Sequence, residues 1–333
     1  MATFYDQIGQ NRRNSVVLMV AVIALLGLLG LFIGWAVTGD PTYALPSTAI
    51  AITVGVIASL VSYYLGDSMV LAASGAKEVT PETQPQLINV VREMAIAANV
   101  PMPRVYLIDD TAPNAFATGR DPQHASVAIT IGLLQKLDRE ELQGVMAHEL
   151  SHVRNYDIRF SLLVGVMVGS IALLADFFLR FTFWGGGRRS GGSRGRGEGG
   201  GYLQLVVFAV AIILAILAPI AARFVQLAIS RQREYLADAS GVELTRNPVG
   251  LERALAKISL DTEPLEVANR ATQHLYFENP MKGVSDRRSN MWSTHPPVLN
   301  RINRLRSLTG QPPVPDAAAV LAPPAAMTAS RMG

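Results

Sequence analysis

Two long uncharged segments near the N-terminus constrain the fold more than any other feature of the sequence. Twenty-six residues without a charge separate Arg13 from Asp40, and another 26 separate Asp40 from Asp67. As a helix, each segment is long enough to cross a hydrocarbon core of roughly 30 Å. Half of the 333 residues are hydrophobic and only 17% are charged, as in a membrane protein. The sequence therefore predicts a transmembrane hairpin, and the first apolar run is too long for a cleaved signal peptide.

Two further apolar segments lie in the second half of the chain. Sixteen uncharged residues span 160–175, and 24 more span 199–222. The stretch 185–201 between them is rich in glycine and carries four arginines, which predicts a flexible loop. If both segments cross from the cytoplasm, those arginines lie outside, against the positive-inside tendency. A crossing hairpin and one that only dips into the bilayer both remain open, and we favour crossing.

The charge pattern gives an orientation and narrows the range of partners. Arg12 and Arg13 precede the first span and only Asp40 follows it, which predicts a cytoplasmic N-terminus. The net charge of +3 comes without a basic helix that carries aromatic residues, so no nucleic-acid partner is predicted. Because the chain has no cysteine, a metal site must use histidine and carboxylate ligands.

The chemistry is concentrated in His148-Glu149-Leu150-Ser151-His152. Helical apolar spacing surrounds this stretch, and Asp138 with Glu141 forms a capping-box pattern at the predicted start of the helix. Two histidines four residues apart project from one helix face and can share one Zn²⁺, while Glu149 supplies a base. The sequence therefore predicts peptide hydrolysis by a zinc-activated water whose proton Glu149 accepts.

A catalytic zinc site needs a third protein ligand. A metzincin would have a glycine at 155 and a histidine at 158, where this chain has Asn155 and Ile158. Glu234 is the best remaining candidate, and Asp238, one helical turn later, could orient a ligand histidine. The alternative for these two carboxylates is an exposed acidic helix face. Because a helical hairpin separates the two halves of the site, we expect them to meet near the membrane surface.

These motifs resemble peptidase family M48, a family of membrane metallopeptidases. The resemblance extends over most of residues 10–306 and also rests on two further motifs, Pro113-Asn114-Ala115-Phe116-Ala117-Thr118-Gly119 and Ser293-Thr294-His295-Pro296-Pro297 with Arg301. It implies a zinc endopeptidase in the cell (inner) membrane, with its catalytic domain facing the cytoplasm. Such an enzyme would cleave damaged or misfolded membrane proteins in a stress response.

The resemblance also implies roles for residues outside the two helical motifs. Asn114, Ala115 and Phe116 would form a strand to which substrate adds, and the alternative is an ordinary buried strand. His295 would stabilise the oxyanion and Arg301 would brace Asp238 or the bound peptide. The alternative for this last pair is a helix start followed by a surface arginine.

The predicted fold is a mainly α polytopic membrane protein with a small β-sheet in a zincin-like (gluzincin) catalytic domain, α+β in class. Strands are predicted at 105–108, 114–118 and 126–131, and a helix at 84–98. The predicted parts are a cytoplasmic segment (1–14), a transmembrane hairpin (15–67), the first catalytic part (68–158), the third apolar segment (159–184), the loop (185–201), the fourth apolar segment (202–229), the second catalytic part (230–308) and a disordered tail (309–333).

Two rival functions remain open at this point. One is a non-enzymatic channel or transporter with a structural metal, but such a site would be closed by four protein ligands and would not need Glu149. The other is a protease that processes prenylated peptides, which keeps the chemistry and changes the substrate. One zinc per chain is the predicted cofactor, although this ligand set also suits Fe²⁺, Co²⁺ or Mn²⁺. The oligomeric state is not predicted.

Overall fold

The computed structural model describes residues 4–38, 40–184, 200–266, 276–277 and 296–322. His295 and the predicted loop 185–201, apart from its last two residues, lie outside them. In the described part, the strands are β1 (Lys77–Glu78), β2 (Arg104–Ile108), β3 (Ala115–Gly119) and β4 (Ala125–Thr130). The helices are α1 (Phe4–Thr38), α2 (Ala44–Ala73), α3 (Pro85–Ala98), α4 (Ile131–Lys136), α5 (Arg139–Arg154), α6 (Asp157–Trp184), α7 (Gly200–Thr245), α8 (Pro248–Leu260), α9 (Val298–Leu308) and α10 (Ala318–Leu321). The class is α+β with a helical majority.

The chain folds into two compact units. The first comprises Met1–Asp67 and Arg159–Ala228, and the second comprises Ser68–Ile158 and Ile229–Gly333. The first unit therefore takes in the four apolar segments of the sequence. The second unit takes in the strands, the His148 motif and Glu234.

Close helix packing characterises the first unit. A methyl group added at Gly30 of α1 would lie 2.6 Å from Cβ of Ala51 on α2, so the two helices pack through small residues. Among the described residues, one helical stretch, Pro41–Ala73, is long and apolar enough to span a membrane. Ile23–Ala36 and Phe208–Ile220 are apolar but shorter.

The second unit is built around a four-stranded mixed sheet of order β1-β2-β4-β3. β2 and β4 are parallel, whereas β1 and β3 pair antiparallel to their neighbours, so β3 is an edge strand. One face of the sheet, which includes Ala117 and Val127, packs into the main core with α3 and α5. The other face holds a smaller cluster around Phe116, Ala128 and Tyr276. Both faces of the edge strand are therefore buried.

Helix α5 passes through the centre of this core. The predicted capping box is present: Asp138 Oδ1 accepts from the Glu141 backbone N–H, and the Glu141 side chain accepts from that of Asp138, both at 2.9 Å. A methyl group at Gly144 would lie 2.7 Å from the Leu251 backbone nitrogen, so only a glycine lets α8 approach this closely. The capped, tightly packed helix gives the His148 motif a rigid support.

Several predicted boundaries differ from the structure because helices continue across them. Helix α1 already begins at Phe4 inside the predicted 1–14 segment, and α2 extends beyond 67 to Ala73. Helix α7 is continuous across the predicted boundary at 229/230, since no glycine or proline lies between Pro219 and Gly241.

The prediction of a disordered tail over 309–333 is wrong for residues 309–322. The Asn303 side chain exchanges hydrogen bonds of 2.8 and 3.1 Å with the Val314 backbone. Val314, Ala317 and Val320 then pack against the main core. The few apolar residues in this Pro- and Ala-rich stretch are therefore enough to order it.

Candidate metal centre

Three side chains of the second unit bring one potential ligand atom each to a common point. His148 and His152 lie one turn apart on α5, and their Nε2 atoms are 3.2 Å apart. The carboxylate of Glu234, on α7, places one oxygen 3.6 Å from Nε2 of His148 and the other 3.6 Å from Nε2 of His152. The structure thus brings together the three residues that the sequence nominates as ligands.

The helices explain why these atoms meet. Residues i and i+4 share a helix face, which puts both imidazoles on the side of α5 that faces α7. Gly241 lies two turns after Glu234, and a methyl group there would be 3.3 Å from the His148 backbone nitrogen. The absence of a side chain at Gly241 lets α7 run close to α5, and Glu234 is held within reach of the histidines.

The spacing between the two imidazoles and the carboxylate fits zinc. Two ligand atoms bound tetrahedrally at roughly 2.0–2.1 Å from a zinc ion lie about 3.4 Å apart. The two Nε2 atoms are 3.2 Å apart and each lies 3.6 Å from one of the two Glu234 oxygens, so the observed separations bracket that value. Two imidazoles and one carboxylate are also a ligand set that catalytic zinc uses with a fourth position open. The residues present therefore fit the metal that the sequence predicts.

Asp238 and Arg301 support the His148 side of the centre. Asp238 Oδ1 lies 3.0 Å from Nδ1 of His148, and Arg301 donates to both Asp238 oxygens at 2.7 and 2.9 Å. Burial favours the neutral acid, but the Arg301 and His148 charges outweigh it and lower the pKa of Asp238. Burial also lowers the pKa of His148, yet hydrogen bonds to Asp238 and Glu234 raise it to about 9. A metal cation must therefore displace a proton from this imidazole.

Glu149 is almost fully enclosed, with 2% of its surface exposed. Burial raises the pKa of its carboxyl, the neighbouring imidazoles of His148 and His152 partly counteract that effect, and the Ala117 backbone N–H donates to it. Ala117 belongs to β3, so the edge strand and the predicted base touch. A carboxyl whose pKa is raised is a stronger base than an ordinary carboxylate, and it can both accept and return a proton.

Of the other predicted site residues, those in the described part of the chain are buried. Asn114 and Phe116 are buried, with the Phe116 ring edge-on to Tyr276 in the smaller cluster. The Ala115 carbonyl accepts a 2.7 Å hydrogen bond from the Phe277 backbone. Arg301 is fully buried beside Asp238 and is not a surface residue. His295 lies outside the described residues.

Two residues that touch the ligand histidines have no predicted role at the site. Asp157 Oδ2 lies 3.0 Å from Nδ1 of His152. The ring of Phe277 stands edge-on to that of His148, 4.9 Å between centroids, and Arg301 lies over its face. An acidic residue just after the motif was the available signal for Asp157, whereas nothing near Phe277 in the sequence indicates its position.

Comparisons with known proteins identify the family of this chain. The profile of peptidase family M48 matches residues 81–309. A protease HtpX homolog from Ligilactobacillus salivarius is 44% identical over 91% of this chain and 99% of its own length, and one from Listeria monocytogenes is 43% identical over the same shares. The crystal structure of Ste24p from S. mikatae aligns over 90% of this chain and 66% of that one, at 18% identity and a TM-score of 0.47. The family match confirms the predicted enzyme class and excludes the non-enzymatic rival: this chain belongs to peptidase family M48.

Proposed function

We propose that this protein is a membrane-anchored, zinc-dependent endopeptidase that hydrolyses damaged or misfolded membrane proteins. The observation that carries the proposal is the meeting of His148, His152 and Glu234 at zinc-ligand spacing, with Glu149 beside them. The protease relatives, which cover nearly the whole chain, support the same conclusion.

Each residue of the centre has a distinct role in the proposed reaction. His148, His152 and Glu234 would hold the zinc, whose Lewis acidity polarises the scissile carbonyl and acidifies water. Glu149 accepts the proton of the attacking water and returns it to the leaving amine. Its burial keeps bulk water away from the carboxylate, which strengthens its interactions with charge that develops during the reaction. By resemblance to the family, His295 adds a donor to the oxyanion.

Substrate would bind along the β3 edge through the backbone. Thr130 N–H donates to the Asn114 carbonyl, so the backbone groups of Ala115 and Ala117 point away from β4. The Ala115 carbonyl is already bonded to Phe277, and Asn114 and Phe116 have buried side chains. Because the Ala117 N–H already donates to Glu149, we place the added strand at the Ala117 carbonyl, where an extended peptide would lie next to the base.

A membrane location is supported by the surface of α2. This helix leaves large apolar side chains exposed, among them Val54 (57%), Ile57 (55%) and Leu60 (52%). Such a surface would be unfavourable in water and suits contact with lipid. We propose that the four apolar segments anchor the protein in the cell membrane, and that the catalytic domain, residues 68–158 and 230–308, faces the cytoplasm.

The test uses the full chain in detergent, with zinc content and cleavage of an unfolded protein both measured. For Glu149→Gln we expect one zinc per chain and at least a hundredfold slower cleavage, since the ligands remain and the base is lost. Glu140→Gln, an exposed substitution on the same helix, is the matched control and should match wild type. Undiminished cleavage by Glu149→Gln would remove Glu149 from the reaction.

The third ligand is tested in the same assay. Glu234→Ala should lose stoichiometric zinc, whereas Glu243→Gln, an exposed change on the same helix, should keep it. Unchanged zinc binding by Glu234→Ala would exclude Glu234 as a ligand. A prenylated peptide offered beside the unfolded protein separates the two substrate classes, and preferential cleavage of the prenylated peptide would overturn the proposed substrate.

A further inference from the structure

We infer that Asp157 and Arg233 form a positioning pair that orients His152 for metal binding. The inference rests on the proposed zinc site and extends it to the second histidine. Asp157 Oδ2 lies 3.0 Å from Nδ1 of His152, while Nε2 of the same ring faces Glu234. Asp157 is 2% exposed, so water does not compete strongly for this contact.

The contact fixes the tautomer of His152 as well as its direction. A carboxylate can only accept, so Nδ1 must carry the proton that it donates to Asp157. The lone pair is then on Nε2, the atom directed towards His148 and Glu234. A ring held this way presents a ligand atom without having to rotate or change tautomer when the cation arrives.

Arg233 holds the other oxygen of Asp157. Its Nη1 lies 3.4 Å from Asp157 Oδ1, and both side chains are buried. Arg233 immediately precedes Glu234 on α7, so this helix contributes a ligand and the partner of the positioning carboxylate at adjacent residues. The ion pair therefore links the start of α6, where Asp157 lies, to the helix that carries the third ligand.

The turn between α5 and α6 makes the contact possible. On a continuous helix a residue five positions on is rotated by about 140° from the first, so Asp157 would point away from His152. Instead, Tyr156 adopts φ +61°, a left-handed conformation that is strained for a residue with a side chain. This sharp turn redirects the chain and brings Asp157 beside the ring. Backbone strain maintained next to a ligand is consistent with a functional constraint.

The arrangement repeats the one on the other side of the centre. There, Arg301 holds Asp238, and Asp238 contacts Nδ1 of His148 at 3.0 Å. Both histidines thus have a buried carboxylate on Nδ1 and a buried arginine behind that carboxylate. The two imidazoles are thus supported by the same kinds of residue, although Arg301 donates to both Asp238 oxygens whereas Arg233 makes a single 3.4 Å ion-pair contact with Asp157.

Zinc affinity tests the inference independently of activity. We would measure it by chelator competition on the full chain in detergent for wild type, Asp157→Asn and the double variant Asp157→Asn/Arg233→Met. An amide can donate to Nδ1 and leave the proton on Nε2, so affinity should fall roughly 10- to 100-fold in both. The double variant also removes the buried arginine charge that faces Asp157, so it is expected to fold even where the single variant does not.

A control variant and a spectroscopic measurement distinguish loss of His152 orientation from general destabilisation of the fold. Glu252→Gln breaks a partly buried ion pair, Glu252–Arg306, within the same unit and away from the ligands. It should leave zinc affinity and the visible spectrum of the cobalt-substituted protein unchanged, whereas the Asp157 variants should shift that spectrum. Affinity of the double variant within about twofold of wild type, or an equal loss in Glu252→Gln, would overturn the inference. Wild type without zinc binding would instead overturn the proposed function itself.

Discussion

At the scale of single residues, Arg301 is the clearest example of a buried charge that contacts several partners. It is the largest of the completely buried side chains in the described part of the chain. Its guanidinium donates to both oxygens of Asp238, donates to the Phe277 carbonyl at 3.3 Å, and lies over the Phe277 ring. An arginine suits this position because its planar fork matches a carboxylate in a way that lysine cannot. Its loss should therefore affect stability as well as the centre.

We expect Arg301→Ala to destabilise the metal-free protein by about 3–5 kcal/mol, because Asp238 would remain buried without its partner. For a domain of this size that corresponds to a fall in Tm of roughly 6–20 °C, measured by circular dichroism in detergent with a chelator present. Arg304→Ala is the matched control, since Arg304 is on the same helix but exposed, over the ring of Tyr235. Equal Tm values for the two variants would show that Arg301 has no structural role.

Individual site residues could be predicted from the sequence where local spacing determines them. The i, i+4 spacing fixes the common face of His148 and His152, and the same spacing relates Glu234 to Asp238. Asp157 could not be assigned in this way, because its contact depends on the left-handed turn at Tyr156. Phe277 reaches His148 from a distant part of the chain, and no local pattern specifies such a contact.

At the scale of elements, helices and strands could likewise be predicted where a local pattern determines them, and contacts between distant parts of the chain could not. The predicted helix at 84–98 is observed as Pro85–Ala98, and the predicted strands differ from β2, β3 and β4 by one residue at their ends. Strand β1 was missed because it is a two-residue, exposed Lys77–Glu78 pair without an apolar pattern. The order of the strands, which makes β3 an edge, depends on long-range pairing that periodicity does not contain.

The contact between α5 and α8 gives a prediction at this scale. Gly144→Ala introduces a methyl group 2.7 Å from the Leu251 backbone nitrogen and 2.9 Å from its Cα, where neither helix backbone can yield easily. We expect a loss of about 1–3 kcal/mol from overpacking, even though alanine favours a helix over glycine by about 1 kcal/mol. Thermal unfolding in detergent measures it. Glu140→Gln, an exposed change on the same helix that keeps an acceptor for Asn247, is the control, and a Tm for Gly144→Ala at or above wild type would contradict the packing argument.

At the scale of the whole molecule, the two compact units differ in the residues that they expose and bury. The first unit carries the apolar segments and exposed aliphatic side chains, and the second carries a conventional core with the buried charges of the centre. Each unit is formed by two separate parts of the chain, so the polypeptide passes between them three times. The orientation that we propose therefore has to be the same for both catalytic parts, and this requirement makes it testable.

Single cysteines can test that orientation because the native chain has none. We would label right-side-out membrane vesicles with an impermeant maleimide, before and after permeabilisation, in Thr42→Cys, Arg92→Cys and Glu243→Cys; each native residue is exposed. Thr42→Cys, in the turn between α1 and α2, should react at once, because Arg12 and Arg13 favour a cytoplasmic N-terminus. The other two, one in each catalytic part, should react only after permeabilisation. Ser193→Cys then distinguishes the two hairpins: immediate labelling means that the third and fourth apolar segments cross, and protection means that they dip into the bilayer and return. Immediate labelling of Arg92→Cys or Glu243→Cys would place the catalytic domain outside and overturn the proposed orientation.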